Sequence, residues 1–269
     1  MGPDEEVGHM ENRGVSAKGL AVVTGASGGL GLEFARLLAA DGWNLVLIAR
    51  SRDKLETLAR ELRDSFGIEA EILAQDLSVL GAADAVFARV SRCDVLVNNA
   101  GFASNGAFAS LPETRISEEL LLDVVTLTQL TRKYLPVMLQ RKSGRILNVA
   151  STAGFLPGPF MAVYYAAKAY VISFSEALWE ETRGTGVTVT CLCPGATATG
   201  FVARAEVQNV PLFKGSLAEP GSVARAGYRA MMAGKRIEIP GVSNKLLASS
   251  VPFMPRASLL RVSRKMVEK

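Results

Sequence analysis

Three side chains could move a proton together. Tyr164 and Lys168 stand four positions apart, and Ser151 precedes Tyr164 by 13. On a helix an i, i+4 pair shares one face, with Cβ atoms roughly 5–6 Å apart. A phenol ionises near pH ~10, too high for ready exchange at neutrality. An ammonium beside it favours the phenolate and lowers that value. A serine hydroxyl can hold a substrate oxygen next to the phenol. Tyr165 is a rival, but it would need a cation at position 169, which is Ala169.

A phenol is needed because imidazole is scarce. The single histidine is His9, inside MGPDEEVGHM, which reads as a vector scar. With Met10 as natural start, no histidine remains. That excludes Ser-His-Asp and Cys-His catalysis and most zinc and iron sites, so no metal is expected.

The elements that must position these residues follow from periodicity. Apolar runs at 20–23, 44–48, 71–73, 95–97, 146–149, 187–193 and 236–239 are strand candidates. Most are apolar on both faces, as in a parallel sheet covered by helices. Helix patterns alternate with them at 31–41, 53–66, 82–90, 113–140, 163–183 and 222–233. In 53–66, Leu55, Leu58, Leu62 and Phe66 share one face. Sustained alternation predicts a doubly wound α/β Rossmann fold: a seven-stranded, mostly parallel sheet with helices on both faces. Residues 1–18 form a leader, 19–240 a single catalytic domain, and 241–269 a basic C-terminal extension.

The first strand runs into Thr24-Gly25-Ala26-Ser27-Gly28-Gly29-Leu30-Gly31 and then a helix pattern. Glycines permit a tight turn and close backbone approach to a pyrophosphate, and the helix N-terminus offers free N–H groups to it. The second strand ends at Ala49-Arg50, without an acid. Arg50, helped by Arg52, suits a 2′-phosphate and favours NADP(H) over NAD(H). Asp53 is the rival ribose ligand, although a carboxylate at a helix start more simply caps free N–H groups.

Asn98-Asn99-Ala100-Gly101 closes the fourth strand, Ser151 follows the fifth, Tyr164-x-x-x-Lys168 comes next, and Pro194-Gly195 closes the sixth, with Thr199 beyond. Together with the glycine loop these motifs, over residues 19–240, resemble the short-chain dehydrogenase/reductase family. The branch most like it includes bacterial ketoreductases and relatives of hydroxysteroid and ketoacyl reductases.

The resemblance implies hydride exchange between a nicotinamide and a carbonyl. Tyr164 would be the acid/base, Lys168 would lower its pKa and hold the nicotinamide ribose, and Ser151 would orient the substrate. Cofactor contacts are expected from Thr24, Gly25, Ser27, Gly29, Leu30, Gly31, Arg50, Tyr164 and Lys168. Asp76 and Leu77 would meet the adenine, and Asn99 would stabilise the sheet on the cofactor side. Pro194, Thr197 and Thr199 would lie by the nicotinamide amide and phosphates. Where the family usually has an asparagine completing a water relay to the lysine, this chain has Asp123. An ionised aspartate accepts hydrogen bonds but cannot donate them, so an altered relay is expected. The rival reading makes Asp123 a surface acid.

Phe102, Phe108, Phe155, Leu156, Phe160, Met161, Phe201 and Val202 flank these motifs, which suggests a hydrophobic ketone or alcohol. The family resemblance implies a mobile lid at roughly 199–220. The net charge is +4, and residues 240–269 hold six cations against Glu268 alone. The basic excess therefore sits in the tail and argues for no nucleic-acid partner. With Leu259, Leu260, Val262 and Met266 between the cations, the tail reads as a basic amphipathic helix. It would pack on its own domain or a partner subunit, or else touch a membrane surface weakly. Cys93, Cys191 and Cys193 lie in apolar runs and read as reduced thiols of a cytoplasmic protein. The family likeness adds a homodimer or homotetramer. The different-class alternative is a non-catalytic NADP-binding sensor; an epimerase or dehydratase is a second enzyme reading.

Overall fold

A computed structural model describes residues 18–268 except 206, 209 and 216. The leader to residue 17, with His9, and Lys269 lie outside them. Seven strands form one sheet: β1 Leu20–Thr24, β2 Asn44–Ala49, β3 Ala70–Ala74, β4 Val95–Asn98, β5 Gly144–Val149, β6 Val187–Leu192 and β7 Ile237–Glu238. Their order is β3-β2-β1-β4-β5-β6-β7, and every pairing is parallel. The last strand is only two residues long, shorter than its apolar run suggests.

Helices cover both faces because the strands are apolar on both. On one side lie α1 Gly29–Ala40 and α2 Arg52–Phe66; on the other lies α3 Ala82–Arg89. Phe34, Leu38, Leu55 and Leu62 pack with Val23, Leu45 and Leu47 on the first face. The run at 113–140 is not one regular helix. It is α4 Glu113–Leu120, a π-helical stretch Leu121–Thr126, and α5 Leu127–Gln140. Tyr134 and Met138 of α5 pack with Val22, Leu96 and Ile146 on the second face. A widened turn has no periodic signature in sequence, and such turns gather at functional sites.

The chain continues with α6 Ala162–Glu181, short α7 Phe201–Arg204 and α8 Pro211–Lys214, then α9 Pro220–Met232. The Glu219 carboxylate caps α9, accepting from the N–H groups of Gly221 and Ser222 at 2.7 and 2.5 Å. The tail forms α10 Val242–Ser250 and α11 Arg256–Val267. No helix among the described residues is long and apolar enough to cross a membrane. Two local expectations fail. Phe66, the last residue of α2, is 41% exposed. Asp53 lies in the first turn of α2 without a side-chain capping bond; Ser51 is the N-cap residue.

A buried polar chain ties the sheet to α6. Asn98 Nδ2 donates to Thr131 Oγ1 at 3.0 Å and to Asn148 Oδ1 at 2.9 Å. Asn148 Nδ2 donates to Ser175 Oγ at 3.0 Å, and that hydroxyl donates to Val171 O at 2.6 Å. Removing the middle of such a chain leaves buried groups without partners. Asn148→Ala is expected to cost about 2–4 kcal/mol, read as a lower urea midpoint; an unchanged midpoint would show that the chain carries no stability.

Candidate active site

The strand order reverses between β1 and β4, where the helices leave opposite faces, and a crevice opens at the carboxyl ends. A cleft of about 610 Å³ occupies it, lined by residues from Gly25 to Met266.

Its floor is the glycine loop. Gly25 and Gly29 have φ of +67° and +56°, which favour glycine. A Cβ on Gly31 would stand 2.3 Å from the Gly25 carbonyl oxygen, so α1 can approach the loop only with glycine there. The first turn of α1 has no side-chain cap, leaving N–H groups for an anion. These features fit a dinucleotide pyrophosphate. Asn99 Nδ2 donates to Thr24 O at 2.9 Å, holding the loop against β4. Ser27, Gly29 and Leu30 line the cleft with Gly25.

Thr24 does something else. Its hydroxyl donates to Val97 O at 3.2 Å and accepts from the N–H of Asn99 and Ala100 at 2.9 and 3.0 Å. It is buried and absent from the cleft wall, as is Gly31. Both shape the loop from behind, because β1 and β4 must be joined where the crevice opens.

Beyond β2, Arg50, Ser51 and Lys54 line the cleft, whereas Arg52 and Asp53 do not. Arg52 points to Glu56, 3.7 Å away. Lys54 escaped sequence reasoning because it looks like any solvated helix lysine. Asp76 and Leu77 also line the cleft. Burial tends to raise the Asp76 carboxyl, but the Ser78 hydroxyl and N–H, with the Arg50 charge, hold it below its ordinary value.

Ser151, Tyr164 and Lys168 meet in this cleft. Ser151 Oγ accepts from the Ala153 N–H at 3.1 Å and lies 3.4 Å from Pro194 O, while Thr197 and Thr199 line the wall nearby. Lys168 is 5% exposed and Asp123 fully buried. The Lys168 ammonium donates to Val149 O at 3.2 Å, stands 3.3 Å from Asp123 Oδ2, and lies 5.5 Å from the Tyr164 ring centre. Asp123 Oδ1 accepts from the Phe102 N–H at 3.2 Å. Asp123 is therefore the counter-charge of Lys168, not a surface acid.

That pairing changes the electrostatics. Burial pushes the Asp123 carboxyl up, opposed by Lys168 and the Phe102 N–H. Tyr164 keeps some surface open along the cleft, yet burial around its hydroxyl is the largest influence and pushes the phenol up. Asp123 and Glu119 add to the rise, and the Ser151 hydroxyl works against it. The spacing rule anticipates a lysine-lowered phenol. In the folded chain the ammonium is already balanced by a carboxylate, and the phenol rises.

Phe102, Leu156, Met161 and Phe201 line the cleft. Phe108 is 61% exposed, Phe155 faces a separate groove, and Phe160 lies under the Arg264 guanidinium at 5.5 Å. Val202 packs in the same cluster as Tyr164 and Phe213. The tail closes this end, with Asn244, Leu247 and Met266 reaching the cleft. Leu259 and Val267 are buried, and the Ser263 hydroxyl donates to Pro157 O. Sequence reasoning missed this wall because an amphipathic helix does not state what its apolar side meets. The 199–220 segment holds α7 and α8, anchored where Thr197 pairs with Ala218.

A family model for short chain dehydrogenases matches residues 19–209. A very-long-chain 3-oxoacyl-CoA reductase of Rattus norvegicus is 36% identical over 185 residues, 66% of this chain and 59% of the rat protein, so the match spans less than two thirds of that relative. Among solved structures, a short-chain dehydrogenase from Sphingobium yanoikuyae in complex with NADPH is 31% identical, with a TM-score of 0.79, covering 90% of this chain and 94% of that one. A bulky-bulky ketone specific alcohol dehydrogenase from Comamonas testosteroni is 27% identical, with a TM-score of 0.74, covering 88% and 93%.

Asp123 raises the phenol, so removing its charge should let Tyr164 ionise at lower pH. Asp123→Asn is expected to move the Tyr164-dependent limb of the pH–rate profile downward; a superimposable profile would show that the pair does not reach the phenol.

Proposed function

The chain belongs to the short-chain dehydrogenase family, and from that premise we propose that it is an NADP(H)-dependent oxidoreductase reducing a hydrophobic ketone to a secondary alcohol, reversibly. The convergence of Ser151, Tyr164 and Lys168 on one cleft with the glycine cradle carries this reading. It also speaks against a non-catalytic sensor, which needs the cradle but not the proton-handling groups.

A bound nicotinamide nucleotide would supply the hydride. Gly25, Ser27, Gly29 and Leu30 would hold its pyrophosphate at α1, Asp76 and Leu77 its adenine side, and Thr197 and Thr199 its nicotinamide end. Arg50 and Lys54 bring two positive charges to the cleft end beyond β2, which suits a 2′-phosphate. The Ser151 hydroxyl donates to the carbonyl oxygen and holds it beside the phenol. The Tyr164 Oη proton passes to that oxygen as charge develops there. Lys168, anchored by Val149 O and Asp123, stands where it can restore the proton. A phenol held above its ordinary value stays protonated at neutral pH, as reduction requires.

Leu156, Met161, Phe201, Phe213, Leu247 and Met266 give the substrate end an apolar wall. That wall supports a hydrophobic ketone or a 3-oxoacyl chain, in keeping with the substrates named for the rat and Comamonas relatives.

A panel of aliphatic, bulky and 3-oxoacyl ketones, followed by NADPH absorbance, tests the assignment. Tyr164→Phe should lower kcat by about 10²–10⁴-fold while NADPH still binds; full activity would remove the phenol from the chemistry. Arg50→Ala should weaken NADPH by about 10–100-fold and leave NADH nearly unchanged. A parent protein preferring NADH would overturn the 2′-phosphate reading.

A further inference from the structure

One turn before Asp123, α4 buries a second carboxyl. Glu119 is fully buried while its neighbour Leu120 is 41% exposed, inverting the usual placement of charge and hydrocarbon. Neither Glu119 oxygen accepts a well-formed hydrogen bond from the described residues. Ser104 lies beside it, close enough to influence the carboxyl, without a bond of good geometry. Ser104 Oγ and Asn105 Nδ2 are likewise buried without hydrogen-bond partners among the described residues, and Asp123 Oδ2 faces the Lys168 ammonium at 3.3 Å. These groups are not scattered. Lys168 meets Asp123, Glu119 stands one helical turn before Asp123 and feels its charge, and Ser104 lies beside Glu119; from Ser104 the chain passes through half-buried Asn105 and Gly106 to exposed Ala107 and Phe108.

Resting on the reductase reading above, we propose that Glu119 is a proton-holding residue that, through Asp123, links Lys168 to solvent at the 104–107 loop. An isolated buried carboxylate is costly, and such a group takes up a proton instead. The charged and titratable groups around Glu119 are Asp123 and Arg115 on its own stretch of helix and Tyr164 on α6, with Lys168 behind Asp123. Burial is the main cause and pushes Glu119 up to about 7; the Asp123 charge adds to it, and Ser104 and Arg115 oppose it. Glu119 therefore takes up its proton as the pH falls through about 7, next to the Asp123 carboxyl that favours the uptake.

The proton count closes over one reduction. The Tyr164 phenol gives its proton to the substrate oxygen, and the Lys168 ammonium gives one toward the phenolate. The carboxyl pair returns one to the lysine amine, leaving both carboxylates ionised. A solvent proton entering at the 104–107 loop reloads Glu119. No electrons move in these steps.

Glu119→Gln keeps size and hydrogen-bonding capacity but cannot release a proton. The expected result is a kcat for ketone reduction lower by about tenfold, an unchanged KM for the ketone, and loss of a pH-dependent limb near neutrality. A second readout needs no cofactor. The unfolded chain's carboxyl ionises at its ordinary value, while the folded one does so near 7. The folded form therefore binds more protons across that window, and stability falls as pH rises through it. The parent should lose urea resistance between pH 5 and 7.5, and Glu119→Gln should lose less. Equal losses in both proteins, or a variant whose kcat and pH profile match the parent's, would overturn the proposal. If the parent turns over no ketone, the reductase reading falls, and the stability comparison still decides whether Glu119 holds a proton. If Glu119→Gln fails to fold, Asp123→Asn gives the same comparison. Removing that charge lets Glu119 ionise at lower pH, so the stability loss should begin earlier, and an unmoved loss would overturn the coupling.

Discussion

Everything near the cleft answers to one buried ammonium. Lys168 sits at the inner face of α6 with 5% of its surface exposed, and a charge so placed needs a counter-charge and a hydrogen-bond acceptor. Asp123 and Val149 O supply them. Meeting that need places constraints on three elements at once. The stretch between α4 and α5 widens into a π-helical turn that carries Asp123. The loop after β4 turns so that the Phe102 N–H reaches the same carboxylate. Gly101 can hold nothing larger, because a Cβ there would stand 2.8 Å from Asp123 Oδ1 and 3.3 Å from Lys168 Nζ.

The periodic parts of the molecule are legible in the sequence. Strands apolar on both faces announce a covered parallel sheet, and all seven candidate runs are strands in it. The spacing of Ser151, Tyr164 and Lys168 anticipates their meeting, because helix geometry and strand ends are local rules. Other features depend on groups distant in sequence and leave no local pattern. The π turn looks like ordinary helix. Thr24 looks like a loop residue, yet it ties β1 to β4 by its hydroxyl. The rise of the Tyr164 phenol comes first from burial, and then from carboxyls more than 40 residues away in sequence.

The tail shows the same limit. Its alternation of cations and hydrocarbons reads first as a helix packed on its own domain or on a partner subunit, and second as one touching a membrane surface. What distinguishes them is where the apolar side lands. Here Leu259, Val267 and Met266 turn inward into the cluster that holds Tyr164 and Phe201, while Arg261 and Lys265 face out. Arg264 pairs with Glu268 at 2.8 Å and covers Phe160. The apolar end of the cleft is thus assembled in part from a stretch that lies beyond the family match, which ends at residue 209.

The strand order also governs how the molecule can be made. β1 finds one neighbour in β2, 20-odd residues away, but its other neighbour is β4, which begins at Val95. Until that strand emerges, one edge of β1 is an open ladder of unpaired amides. Thr24, whose hydroxyl waits for Val97, Asn99 and Ala100, has nothing to bind. The nucleotide loop therefore cannot set as a local motif. Parallel pairings of this kind close large loops before they are rewarded, so the nascent chain carries apolar β1 half-covered until Val95 and its neighbours have been made. Folding speed and aggregation during synthesis are thereby tied to the same reversal of strand order that opens the cleft.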